Sequence, residues 1–346
     1  MRYVSIFSGV EAATLAWEPL GWEPMAFSEI EPFPCAVLAE RWPDVPNLGD
    51  ITKVDWKNEI HGAVDLVAGG SPCQSFSVAG KREGLKGASG LMFEYIRCVQ
   101  ELRPRWFLWE NVPGALTSEN GGAFGQLLSE MDELGYSLAW RVLDAQFFGV
   151  AQRRRRLFLV GYLGAESPAE VLFEPDCLSG NPQSSREKRK ELASRAGRSA
   201  ACAGFKYSAA LAARPGMKQA TFACTGGTYP INEQIATRDK KLGRGTGLGV
   251  GADGDPAFTL LANHPHMVAS EIADKSAEVN PMLVRRLTPL ECERLQGFPD
   301  GHTLIAWKGK PAEECPDGPR YKAIGNSMAV PVMRWLGERI EEVDGL

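Results

Sequence analysis

Apolar and polar positions fall into two alternating rhythms over the first 163 residues. Four short apolar runs, at 3–7, 25–28, 64–68 and 106–109, have the length and composition of buried strands. Helical stretches follow them at about 11–20, 34–41, 91–102 and 123–134. Such βαβα alternation predicts an α/β fold, an open, doubly wound, mostly parallel sheet with helices on both faces. A Gly135-Tyr136 turn, a strand around 137–144 and another at 157–162 are expected to close the sheet antiparallel.

The pattern changes after Gly164. Residues 177–256 are rich in Gly, Ser, Arg and Lys; 221–224 reads as a short strand, 186–196 as a helix, and the Gly243–Gly247 run as loop. Regular structure returns at 288–296, where Thr288 and Glu291 have the spacing of a capping box. A final amphipathic helix, about 327–342, is expected to pack back on the N-terminal sheet. The expected organisation is a main domain over 1–163, a smaller irregular domain over 164–283, and a returning segment over 284–346.

Composition adds a charge asymmetry. The net charge of −5 argues against a nucleic-acid partner, but residues 177–250 hold 13 Lys and Arg against 4 Asp and Glu. An acidic body thus carries a basic segment that suits phosphates, or a solvated basic loop. No apolar run approaches the roughly 20 residues of a membrane span, and the chain starts directly in a strand-like run, so neither membrane nor export is expected. The eight cysteines include no Cys-x-x-Cys pair and no zinc-type cluster. Reduced thiols in a cytoplasmic protein, with no metal, are the expectation.

Chemistry-bearing residues gather at predicted strand ends, where ligands bind in doubly wound sheets. Phe7-Ser8-Gly9-Val10-Glu11 follows the first strand, as a ligand-facing turn or a plain βα turn. Glu29, after the second, suits ribose hydroxyls of an adenosine-containing cofactor, or faces solvent. Asp50 and Asp65 add acid near the same edge. The G-x-G-x-x-G pattern of dinucleotide sites is absent, because Glu11 occupies its second glycine position, so a cofactor without a pyrophosphate fits better. Cys73, in Gly69-Gly70-Ser71-Pro72-Cys73-Gln74-Ser75-Phe76-Ser77, lies in a loop outside any apolar stripe: a reactive thiol or an incidental one. Glu110, in Glu110-Asn111-Val112-Pro113-Gly114, ends the fourth strand, where desolvation would raise its pKa. In Gln152-Arg153-Arg154-Arg155-Arg156, strand alternation turns Arg154 and Arg156 to one side.

Taken in order with Ser28-Glu29-Ile30-Glu31, Gly49-Asp50-Ile51-Thr52, Arg286-Leu287-Thr288-Pro289 and Ala323-Ile324-Gly325-Asn326-Ser327, these motifs resemble those of the DNA cytosine-5 methyltransferases of bacterial and phage type. The likeness spans about 1–163 and 284–333, with order and spacing kept, and departs from the family at Glu11. It implies a Rossmann-like methyltransferase domain using S-adenosylmethionine, with 164–283 as target-recognition domain. Cys73, Glu110, Arg154 and Arg156 would be catalytic, and Phe7, Gly9, Glu29, Ile30, Asp50, Ile51, Pro72, Leu91 and Asn326 would meet the cofactor. Gln74, Ser77, Lys188, Arg189, Lys190, Arg238, Lys240, Lys241 and Arg244 are the candidate contacts to double-stranded DNA.

The resemblance further implies thiolate addition at cytosine C6, a protonated Glu110 at N3, and a base flipped out of the duplex. Monomeric action and a cognate restriction endonuclease belong to the same expectation. Two other readings stand: an RNA (tRNA) cytosine-5 methyltransferase, against which the long 164–283 region speaks, and a catalytically silent DNA-binding paralogue, against which the intact Cys73, Glu110 and arginine set speaks.

Overall fold

The apolar runs form one six-stranded sheet in a computed structural model, which describes residues 1–72, 90–164, 168–173 and 286–345. It also describes the backbone of five further strands, β7 (Tyr207–Leu211), β8 (Ala220–Cys224), β9 (Thr228–Ile231), β10 (Met267–Glu271) and β11 (Met282–Arg286). The main sheet consists of β1 (Arg2–Ile6), β2 (Glu23–Ser28), β3 (Leu66–Gly69), β4 (Trp106–Asn111), β5 (Tyr136–Asp144) and β6 (Arg155–Leu163). Its spatial order is β2-β1-β3-β4-β6-β5. The first four strands are parallel, and β6 runs antiparallel to both β4 and β5. The expected antiparallel closure is therefore present, with β6 inserted between β4 and β5.

Strand alternation divides the core between two faces. Tyr3, Leu66, Ala68, Trp106, Leu108, Phe158 and Val160 point to one face; Val4, Ile6, Val67, Phe107, Trp109, Leu157 and Leu159 point to the other. The first face is covered by α1 (Ala12–Trp17) and the last helix, α9 (Val330–Asp344); the second by α4 (Gly90–Leu102) and α5 (Gly122–Glu133). Between these lie α2 (Pro32–Arg41), α3 (Trp56–Glu59) and α6 (Ala169–Leu172). The stretch expected as one helix over 11–20 is α1 followed by a 3-10 turn, Glu18–Leu20, into which Pro19 brings no backbone N–H.

The returning segment adds α7 (Pro289–Gln296), α8 (Asp317–Asn326) and α9. The Thr288–Glu291 capping box forms as expected, with the Glu291 amide donating to Thr288 Oγ1 at 3.2 Å and the Thr288 amide to Glu291 Oε2 at 2.8 Å. As expected, α9 packs on the N-terminal sheet. Trp17 Nε1 donates to the Met333 carbonyl at 2.7 Å, and Trp106 Nε1 to Asp344 Oδ1 at 2.8 Å. Helix α9 starts later than the pattern suggested, because 327–329 form the extended link out of α8.

Beyond the main sheet, β9, β10 and β11 form a three-stranded antiparallel sheet in the order β11-β10-β9, and β7 pairs with β8. The strand expected at 221–224 is β8. The helix expected at 186–196 and the glycine-rich loop at 243–247 lie outside the described residues. Among the described residues, no helix is long and apolar enough to cross a membrane.

Candidate active site

The parallel strands point their carboxyl ends at one cleft. Its wall is formed by Phe7, Ser8, Gly9, Glu11, Ala12 and Ala13 after β1, Gly70 after β3, Glu110 on β4, and Asn326, Ser327 and Met328 after α8. Four of the residues singled out in sequence, Phe7, Gly9, Glu110 and Asn326, therefore come together from three distant stretches of chain.

The loop after β1 is strained and firmly tied. Phe7, Gly9 and Glu11 all have left-handed backbones, with φ of 53°, 58° and 60°. For two non-glycine residues this costs about 1–3 kcal/mol each. Ser8 offsets part of it: its hydroxyl donates to the Ser5 carbonyl at 2.9 Å and accepts from the Ser28 amide at 3.2 Å. Glu11 turns its carboxylate inward, accepting from Ser5 Oγ at 2.7 Å and from the Thr14 amide and hydroxyl at 3.1 and 3.0 Å. It thereby caps α1. Burial pushes its pKa up to about 7, against the lowering effect of those hydrogen bonds.

Glu29 stands beside this loop. Its Oε2 accepts the Gly9 amide at 2.8 Å, and its Oε1 accepts the amides of Ile30 and Glu31, both at 2.8 Å. The carboxylate is half-buried, and the Ile30 side chain next to it is 65% exposed. A carboxylate beside an exposed aliphatic surface suits a ribose carrying a flat, apolar base. Asp50 caps the 3-10 turn Ile51–Lys53, its Oδ1 accepting from the Thr52 amide and hydroxyl at 3.1 and 2.8 Å. These bonds hold its pKa below the usual carboxylate value. The other proposed cofactor residues are more dispersed: Ile51 is buried, Pro72 is exposed, and Leu91 is half-buried at the start of α4 against the second face of the core.

On the other side of the cleft, Glu110 Oε1 pairs with Arg156 Nε at 3.0 Å, both side chains being largely buried. Burial pushes the Glu110 pKa up, and the charges of Arg156 and then Arg154 oppose the rise. Gly70 permits this placement, because a Cβ there would lie 2.8 Å from Glu110 Oε2 and 2.9 Å from the Glu110 carbonyl oxygen. Arg154, in the extended segment just before β6, and Arg156, in β6, turn inward as expected, while Arg153 and Arg155 are exposed. Arg154 goes deeper. Its Nη2 donates to the carbonyls of Gly325 at 3.1 Å and Ser327 at 2.5 Å, on either side of Asn326. Burial and the neighbouring Arg156 lower its pKa to about 9, which leaves it a cation at neutral pH.

Two side chains not anticipated from sequence hold the start of the Cys73 loop. Trp109 Nε1 donates to Ser71 Oγ at 3.1 Å, and Asn111 Nδ2 donates to the Ser71 carbonyl at 3.0 Å. Their positions, one residue either side of Glu110, were the only signal available. Cys73 itself, Gln74, Ser77, Lys188, Arg189, Lys190, Arg238, Lys240, Lys241 and Arg244 lie outside the described residues.

The fold is that of a methyltransferase. It superposes on the crystal structure of the Dnmt2 methyltransferase of S. pombe with a TM-score of 0.63, covering 99% of both chains at 16% identity. The sequence narrows the class: the model of the C-5 cytosine-specific DNA methylase family matches residues 1–342, and the chain belongs to that family. It is 33% identical to the type II methyltransferase M2.BsuMI of Bacillus subtilis, over all of this chain and 76% of that protein. It is 37% identical to a protein of Escherichia phage P1 named DNA N-6-adenine-methyltransferase, over 98% of this chain. There the chain spans 61% of the longer phage protein.

Proposed function

We propose that this protein transfers a methyl group from S-adenosylmethionine to C5 of a cytosine within a specific duplex DNA sequence, through covalent addition of Cys73. The observation that carries the reading is Glu110, paired with Arg156, set against Gly70 three residues before Cys73, and lining a cleft with Gly9 and Asn326. Cytosine C5 is a poor nucleophile. Addition of the Cys73 thiolate at C6 makes it enamine-like, which divides one difficult step into two easier ones. Charge then builds at N3, where Glu110 in its protonated form donates a hydrogen bond and then the proton. The raised Glu110 pKa supports that role. Arg156, which touches Glu110, supplies a fixed cation for the base's O2 edge and for the thiolate. Once C5 carries the methyl group, loss of its remaining proton to water, return of the N3 proton to Glu110 and expulsion of Cys73 as thiolate complete the turnover.

S-adenosylmethionine supplies an electrophilic methyl when bound. Phe7, Gly9, Glu29, Ile30 and Asn326 would hold it, and Asp50, Ile51, Pro72 and Leu91 complete the set by resemblance. A base stacked in a duplex is out of reach of this cleft, so the target is flipped, at a cost of roughly a few kcal/mol. Residues 164–283 would read the site, with the basic stretch on phosphates. Double-stranded DNA as partner, with or without a cognate endonuclease, follows from this reading.

The name of the phage P1 relative favours a second reading, methylation of adenine N6. That exocyclic amine needs no covalent activation and would leave Cys73 idle. Mass spectrometry of nucleosides from DNA methylated by the protein separates the two, 5-methylcytosine being expected. DNA containing 5-fluorocytosine should in addition trap a denaturation-stable adduct with the protein, because fluorine does not leave as a proton does. Cys73→Ala should form no adduct and show no turnover. N6-methyladenine as sole product, or turnover by the alanine variant, would remove the proposal.

A further inference from the structure

The cofactor loop is held from outside the N-terminal domain as well as from within it. His302 lies 292 residues beyond Val10, and its Nε2 is 2.7 Å from the Val10 carbonyl oxygen. A carbonyl oxygen only accepts, so Nε2 carries the proton. Both partners are buried, His302 at 3% exposure and Val10 at 0%. Val10 sits between Gly9 and Glu11, two left-handed residues that line the cleft. The bond thus fixes the peptide at the centre of the strained segment.

The turn that carries His302 is itself fixed on several sides. Glu293 of α7, fully buried, accepts the Gly301 amide at 2.9 Å and the Thr303 amide at 2.8 Å. It also pairs with buried Arg320 of α8 at 3.2 Å. Arg41 of α2 donates to the carbonyls of His302 at 3.0 Å and Gly301 at 2.7 Å. The imidazole stacks on Phe298 with ring centres 4.9 Å apart, and Trp42 lies at 5.8 Å. A side chain needed only to fill this apolar slot would have no reason to be polar. Burial lowers the His302 pKa to about 4, so the ring is neutral at physiological pH and its single N–H is committed to Val10.

We infer that His302 is a positioning residue for the cofactor: through the Val10 carbonyl, the returning C-terminal segment holds the Phe7–Glu11 loop in its binding conformation. Left-handed backbones at Phe7 and Glu11 relax unless surrounding contacts over-determine them, and this hydrogen bond reaches the loop from the returning segment. The inference rests on the reading of the cleft as an S-adenosylmethionine site.

The test uses the full chain with two variants. His302→Phe keeps the ring and its stacking but has no donor, whereas His302→Gln keeps an amide donor of similar reach. Calorimetry measures S-adenosylmethionine binding, a mobility shift measures affinity for a mixed-sequence duplex without cofactor, and thermal melting monitors folding. In His302→Phe, cofactor affinity is expected to fall about tenfold, the upper range for one hydrogen bond, with DNA affinity within about twofold of wild type. His302→Gln should recover most of the loss. Unchanged cofactor affinity in a folded His302→Phe overturns the inference. So does a parallel loss of cofactor affinity, DNA affinity and melting temperature that His302→Gln does not reverse, which is the signature of a residue that only supports the fold. Should His302→Phe not fold, His302→Asn, whose amide is too short to reach Val10, carries the same comparison. Wild-type protein that binds no S-adenosylmethionine removes the reading of the cleft itself, an outcome distinct from failure of the variants.

Discussion

Glu29 and Glu110 are the same residue type at the carboxyl end of the same sheet, yet they are held by different chemistry. Glu29 is half-buried just beyond β2, and three backbone amides donate to it. Glu110 is largely buried on β4, and its Oε1 is held by the Arg156 guanidinium. Amide dipoles stabilise a carboxylate and also fix the chain around it, so Glu29 acts as a scaffold and a fixed acceptor. Burial raises the Glu110 pKa and favours its neutral form, while the charge of Arg156 opposes the rise. At one sheet edge, one acid organises a loop, and the other is the one to which the proposed mechanism assigns a proton. The surroundings make that difference.

The largest expected effect falls on the proton-carrying side. Glu110→Gln keeps a hydrogen-bond donor but cannot give up a proton, so the single-turnover methylation rate should fall by about 10²–10⁴. Its cofactor affinity should match wild type. A near-normal rate would mean that hydrogen bonding at N3 suffices, and the contrast between the two acids would lose its chemical half.

Glu29→Ala acts on the scaffold side. It should weaken S-adenosylmethionine binding by about 1.5–3 kcal/mol, the scale of a hydrogen bond to a charged group. DNA affinity without cofactor should barely change. Unaltered cofactor affinity by calorimetry would transfer the ribose contact to Asp50.

Glu11 offers a subtler test, because it is an acid of the scaffold with the burial of a reactive one. Its folded pKa of about 7 lies above the ordinary 4.5, so the folded state holds the proton more tightly than the unfolded chain. Stability from this group is fully present below about pH 4.5 and is lost as pH rises through about 7, up to roughly 3 kcal/mol. Urea unfolding of wild type and Glu11→Gln at pH 5 and pH 8 isolates the effect, since the amide does not titrate. The wild type should lose stability relative to the variant between the two conditions. Parallel changes in both proteins would show that Glu11 does not titrate in this range.

The sequence by itself determined the sheet, the family and the gathering of candidate residues at the sheet's carboxyl edge. Buried strands need continuous apolar runs and amphipathic helices need their stripe, so periodicity alone separated the two and assigned α9 to the sheet. The inward turn of Arg154 and Arg156 was likewise legible, because strand alternation is local. Partnership was not. Nothing near Arg154 in sequence says that it grips the carbonyls around Asn326, nor near Trp109 and Asn111 that they clamp Ser71, nor near Glu11 that its carboxylate folds back under β1. His302 is the clearest case: an unremarked histidine in a turn after α7 meets a carbonyl 292 residues away. Local pattern encodes which face a residue presents. Which atom it meets there depends on how distant segments pack, and only the tertiary structure decides that.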